Sequence, residues 1–215
     1  IARSQFASGP HRLTESDSLD YTAGGEVAPN GRLAALARNE EILIVDMATG
    51  EVLMERQIAE ADDRVVQAVS WSSDSSVIVA GTSAGWLHVV SAETLEPVAP
   101  RRLITGGWVT DLETSPDGRF LASTGVDGDV TLWDTRTWTP YGQPVTDGRG
   151  WGWLTYTPDG TGLRIFFERE AVTVSIQPGD WVAAACSAAG RNFTPEESAV
   201  LLPDQPVRPT CPDQA

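Results

Sequence analysis

Nucleophilic catalysis needs a Ser or Cys, a base beside it and an acid that orients the base. Bases are scarce here, because the 215 residues include only two histidines, His11 and His88. His88 falls mid-strand in Leu87-His88-Val89 and reads as a structural or surface residue, while His11 reads as exposed. No G-x-S-x-G elbow is present, and no P-loop or G-x-G-x-x-G follows a strand. Gly148-Arg149-Gly150-Trp151-Gly152 is glycine-rich but joins two antiparallel strands, without the helix N-terminus that would cradle a phosphate. Asp127 and Asp129 flank Gly128, and turn chemistry accounts for both without a cation. Cys186 and Cys211 stand outside any C-x-x-C motif and away from the histidines, which argues against zinc. A disulfide between them would close a loop and contribute about 3 kcal/mol. Two buried free thiols are the other reading. The expectation is therefore no catalytic, metal-binding or cofactor-binding residue and no cofactor. A carboxylate pair assembled across space is the one chemistry that sequence cannot address.

What remains are residues suited to structure and contact. Trp is over-represented, with eight against five Phe and three Tyr. Trp71, Trp86 and Trp153 fall in strands and read as core packing or packing between neighbouring units. Trp108, Trp138 and Trp151 fall at strand starts or loops, and Trp108 and Trp151 are the candidate surface anchors for a partner. Acidic residues outnumber basic ones, 30 to 15, for a net charge of −15. Arg101-Arg102 is the only adjacent basic pair, so nucleic acid and anionic membranes are poor partners. The longest apolar run is 181–185, far short of the ~20 residues of a membrane helix. No signal-peptide pattern opens the sequence, and residues 1–4 read as a processed or excised start.

The elements that must position these residues recur. A turn motif returns as Ala28-Pro29-Asn30-Gly31, Ser72-Ser73-Asp74-Ser75, Ser115-Pro116-Asp117-Gly118 and Thr157-Pro158-Asp159-Gly160, spaced 44, 43 and 42 residues apart (72 − 28, 115 − 72, 157 − 115). Pro presets φ, Asp or Asn bonds local backbone and Gly accepts positive φ. Alternating apolar residues flank each copy, as strands with one buried face require. In the third unit Asp127-Gly128-Asp129 makes a hairpin, 130–134 a further strand and 143–146 a short outer strand. Each unit thus reads as a four-stranded antiparallel blade.

The stretch 107–134, ending in Trp133-Asp134, resembles the WD-repeat family. The resemblance implies an all-β fold, a β-propeller of four-stranded antiparallel blades, with Trp133, Asp134 and Asp127 structural. Other copies are degenerate: Val45-Asp46 keeps the Asp, and Val90-Ser91 and Ser175-Ile176 keep neither residue. The family's Gly-His dipeptide is absent, Gly106-Gly107 standing nearest its place, so its buried tetrad should lack the His in every blade. Complete blades are expected over 21–60, 65–105 and 109–146. A last unit of three strands, near 153–156, 163–167 and 172–176, follows. Residues near 10–14 resemble an outer strand. They either close a four-bladed ring through the last unit, or belong to a larger ring of about seven blades.

Propeller blades are expected over 1–176 and a helical, Pro-rich capping tail over 177–215. Asp180 is the expected N-cap of a helix over 181–189, with Gly190 its terminator. Thr194-Pro195-Glu196-Glu197 is a capping box opening a second helix that runs to about Leu202. Trp181–Cys186, Ala189–Thr194, Glu196-Glu197, Leu202-Pro203 and Arg208–Pro212 resemble the closing segment of WD-repeat proteins from actinomycete-type bacteria, except that an aromatic is expected at Ser198. In such proteins a STAND-type ATP-dependent module commonly precedes the propeller. The resemblance implies a non-catalytic interaction scaffold or sensor module within a larger bacterial signalling protein, cytoplasmic or, with an upstream membrane helix, extracytoplasmic. Its partner would be a protein or peptide, with further blades supplied by the same parent or another chain. A propeller enzyme or small-ligand binder with a channel site, or a structural subunit, are the other readings.

Overall fold

The computed structural model describes residues 11–12, 22–142, 144, 152–167, 170–201 and 211. Sixteen strands in these residues form four antiparallel sheets. Blade 1 contains β2 (Thr22–Val27), β3 (Leu33–Arg38), β4 (Glu41–Asp46) and β5 (Glu51–Gln57). Blade 2 contains β6 (Val66–Trp71), β7 (Val77–Thr82), β8 (Trp86–Ser91) and β9 (Pro97–Leu103). Blade 3 contains β10 (Val109–Thr114), β11 (Phe120–Gly125), β12 (Val130–Asp134) and β13 (Thr139–Pro140). Blade 4 contains β14 (Trp153–Tyr156), β15 (Gly162–Phe166) and β16 (Ala171–Ser175). Each strand pairs with the next in sequence, so every blade is a meander.

The turns form as their residues dictate. In the Ser115–Gly118 turn the Gly118 amide donates to the Ser115 carbonyl at 2.8 Å, and the Asp117 carboxylate takes the Arg119 amide at 3.0 Å. Gly31, Gly118 and Gly160 hold φ near +70°, and Ser75 holds +62° in the copy that lacks glycine. The innermost strands β2, β6, β10 and β14 lie side by side, and the sheets stack face on face. Ile42, Ile44, Val69, Trp71 and Ile78 fill the first inter-blade core. Leu87, Val89, Leu112, Leu121 and Trp133 fill the second, and Phe120, Val130, Leu154, Leu163 and Ile165 the third.

Several expectations need correction. The outer strand described in blade 3 is β13, ahead of the expected 143–146, because Trp138 takes φ +53° and its amide returns to the Asp134 carbonyl at 2.7 Å. That turn brings the chain back at once. Of the expected strand, Pro144 is exposed coil and 143, 145 and 146 lie outside the described residues. The strand near Pro10 does not close the last blade. His11 and Arg12 form β1, which pairs with Val52 and Glu51 and adds a fifth strand to blade 1. Blade 4 has three strands among the described residues.

Leu43, Val45 and Val52, on the face of blade 1 turned away from blade 2, are buried. The face of blade 4 turned away from blade 3 carries Trp153, Thr155, Arg164, Phe166, Ala171 and Thr173. The matching positions of blade 2 are Ala68, Ser70, Val79, Gly81, Leu87 and Val89, small or aliphatic and packed on blade 3. A blade stacked on blade 4 in the same way would have to bury Arg164, a large cost without a paired carboxylate.

After β16 come α1 (Pro178–Ala189) and α2 (Pro195–Leu201). The N-cap of α1 is Gln177, without a side-chain cap bond, rather than Asp180. Pro178 opens the helix earlier than the apolar pattern suggests, and Asp180 sits in its first turn. Gly190 ends α1 in the left-handed conformation, as expected. The capping box forms: the Glu197 amide donates to Thr194 Oγ1 at 3.2 Å and the Thr194 amide to Glu197 at 2.9 Å. No described helix is long and apolar enough to cross a membrane.

Candidate functional site

The innermost strands run side by side, so their starts share one end of the molecule with the β3–β4, β7–β8, β11–β12 and β15–β16 hairpins. Trp108 precedes β10 at this end and is 53% exposed, beside Val126 at 43% and near Leu103 at 60%. The loop 104–108 that carries Trp108 is pinned from three sides. The Ile104 amide donates to Gly85 O at 2.9 Å, and the Val126 amide to Trp108 O at 3.0 Å. The Thr105 hydroxyl donates to Asp127 Oδ2 at 2.5 Å. Gly85, at φ +88°, is required here: a Cβ would stand 2.0 Å from Thr105 O. An exposed aromatic on a loop fixed before encounter loses little entropy on binding.

The same end of blade 2 carries a charged network. His88 Nε2 lies 2.8 Å from Asp63 Oδ2, and Asp63 is fully buried. Arg101 Nη1 donates to Asp63 and, at 3.1 Å, to Asp62, while Nη2 reaches Glu60 at 3.1 Å. Its guanidinium carbon stands 4.0 Å over the Trp86 ring. Every member has a partner, so the network fixes the 60–64 loop against β8 and β9 and offers no unpaired base. Its existence was invisible in sequence, since Asp63 and His88 belong to no motif.

The inner wall holds three carboxylates that sequence reasoning also missed. Glu26 accepts the Trp71 amide at 2.7 Å, and Asp111 accepts the Leu154 amide at 2.7 Å. Glu113 takes the Tyr156 amide and faces Thr155 Oγ1 at 3.5 Å. Burial, opposed by the bond from Trp71, raises the Glu26 pKa, and burial likewise raises that of Asp111. Glu113 is pushed up to about 7 by burial first, then by the charges of Glu26 and Asp111. Innermost strands have edge amides with no partner strand, and these carboxylates satisfy them from the neighbouring blade. Among the described residues no group of His, Cys, Asp and Glu is arranged to hold a metal ion.

The remaining expected residues are placed as follows. Trp133 is buried, with Nε1 donating to Ser123 Oγ at 2.8 Å. Asp127 binds Thr105, so a threonine hydroxyl stands where the resemblance leads one to seek His. Asp134 caps the Arg136 amide at 2.8 Å and pairs with its guanidinium at 2.9 Å; those bonds hold its carboxyl down to about 2. A disulfide joins Cys186 to Cys211. Trp151 lies outside the described residues. Trp153, expected in the core, is 51% exposed because it sits on the outward face of blade 4. Ser198, where an aromatic was expected, is buried.

Residues 100–134 match the family model for the WD domain, G-beta repeat. A chain in the crystal structure of the mitotic checkpoint complex superposes with a TM-score of 0.61 at 21% identity, over 67% of this chain and 44% of that one. The fold is a β-propeller. Together the matched repeat and the superposition support a WD-repeat propeller. The human U3 small nucleolar RNA-associated protein 18 homolog is 24% identical over 132 residues, 61% of this chain. The chain spans 23% of that relative's length.

Proposed function

We propose that this propeller is a non-catalytic protein-interaction scaffold or sensor module, acting through the end of the ring that carries Leu103, Trp108 and Val126. WD-repeat proteins typically serve as such scaffolds. The observation that carries the reading is the loop 104–108, held by Gly85, Val126 and Asp127 so that Trp108 stands exposed before any partner arrives. Exposed aromatics at pre-formed sites supply most interface energy. The finer reading, a propeller part of a larger bacterial signalling protein, rests on the resemblance of the α1–α2 tail and belongs to the same proposal. The partner is a protein or peptide, basic or neutral given the net charge of −15. A channel enzyme is the weaker reading, since the inner-wall carboxylates are engaged with backbone amides.

The test places a photo-crosslinking amino acid at 108 and, as control, at 74 in the opposite-end turn, inside cells of the source organism. One discrete adduct from 108 and none from 74 is expected. Trp108→Ala should reduce capture of that protein at least tenfold with the melting temperature unchanged. Equal adducts from both positions would sink the proposal.

A further inference from the structure

Blades 3 and 4 diverge outward from their innermost strands. β13 has only two residues and blade 4 three strands among the described residues, so few described residues fill the wedge between them. A cavity of about 570 Å³ remains there, and α1 lies across it. Its walls are apolar, with Leu132 of blade 3 facing Ile165 and Val174 of blade 4. The pocket opens to solvent beside Tyr141 and Trp181, and its volume lies in the range of small-molecule sites.

Two further observations define an occupant. Tyr141 and Trp181 both line the cavity, with ring centroids 6.0 Å apart and planes tilted by 46°. Phe120 backs Tyr141 at 5.0 Å, and Trp181 Nε1 donates to the Ser175 carbonyl at 2.5 Å, which fixes the indole. Among the described residues Asp180 is the one charged residue of the wall. Its Oδ2 accepts the Ser175 hydroxyl at 2.5 Å, leaving Oδ1 for a ligand. Aromatic faces beside a carboxylate attract positive charge, and the surrounding net charge of −15 acts in the same sense.

We propose that the cavity between blades 3 and 4, beneath α1, binds a small apolar organic cation, its ammonium against Asp180 and its body between the aromatic rings and the aliphatic wall. The site is separate from the Trp108 end, and neither proposal depends on the other. A neutral apolar molecule would fill the volume but leave Asp180 Oδ1 to solvent.

The test titrates the whole chain with 2-naphthylmethylammonium and with the neutral 2-naphthylmethanol, read by ligand-observed NMR. The ammonium should bind at least tenfold tighter than the alcohol. Asp180→Asn should bring the ammonium to the level of the alcohol, while Asp117→Asn, a surface control, should change nothing. Ala184→Phe, which fills the cavity from α1, should abolish binding of both with the melting temperature kept or raised. No binding to the wild type, equal binding of the two probes, or an unchanged affinity in Asp180→Asn would each overturn the proposal. In those cases the cavity is a packing defect or is filled by the chain itself.

Discussion

Glu113 has a raised pKa of about 7 against an ordinary value near 4.5. In the folded state it therefore holds a proton that the unfolded chain has already released. Its contribution to stability is full below about pH 4.5 and is lost as pH rises through 7. Glu113→Gln removes this loss while keeping an acceptor for the Tyr156 amide. The variant should gain on the order of 1 kcal/mol at pH 8, after allowing for solvent screening of a partly exposed group, and almost nothing at pH 4. Chemical denaturation at the two pH values checks this, and equal shifts at both would refute it. Trp133 supplies a second residue-scale expectation. Ser123→Ala strands the buried indole N–H and should cost about 1–3 kcal/mol by urea denaturation. Trp133 belongs to a motif and was expected as a structural residue, whereas its partner Ser123 was not named. Glu26, Asp111 and Glu113 were not, because their task, capping amides of the next blade, exists only after the blades stack.

The elements were legible where turn chemistry is overt. All four Pro-Asp-Gly-type turns form, including the copy in which Ser75 replaces glycine. The turn between the third and fourth strands was less so. It recurs as Asp46 to Gly50, Ser91 to Leu95 and Asp134 to Trp138, each fifth residue in the left-handed region and its amide bonded to the first carbonyl. Leu95 and Trp138 adopt a conformation that glycine favours, so composition gives no warning, and the outer strand β13 comes earlier than expected. The shared trace was Thr at the fourth position: Thr49, Thr94 and Thr137. In the tail, no residue of α1 is buried, so packing contributes little to that helix. Cys186–Cys211 and the Arg191–Glu197 pair, at 2.6 Å, hold the tail in their place. A bond closing this loop contributes about 3–4 kcal/mol. Cys186→Ser should abolish hydrogen-exchange protection of 181–189 while that of β6–β8 stays as in wild type. Full protection of α1 in the variant would show that the bond is dispensable.

Stacked blades share their cores, so at the scale of the whole molecule stability passes between neighbours. Ile78 is fully buried between blades 1 and 2, and Ile78→Ala should cost about 2–5 kcal/mol. Exchange protection should fall in β3–β4 as well as in β7–β8. A loss confined to blade 2 would show that blades unfold independently. The period of 42–44 residues made the stacking readable, but not the outward face of blade 4, whose Arg164 and Thr173 replace aliphatic neighbours. The carboxylate bonds between blades have a sense: Glu26 serves Trp71, and Asp111 serves Leu154, always from the earlier blade to the later. Order is thereby encoded along with number. Exchanging the second and third units would set Glu26 against the Thr114 amide with Glu113 in the place of Ser70 and bring like charges together, whereas moving the chain ends to a new loop would leave every such bond intact. The blades behave as directed links, tolerant of a new starting point and intolerant of shuffling.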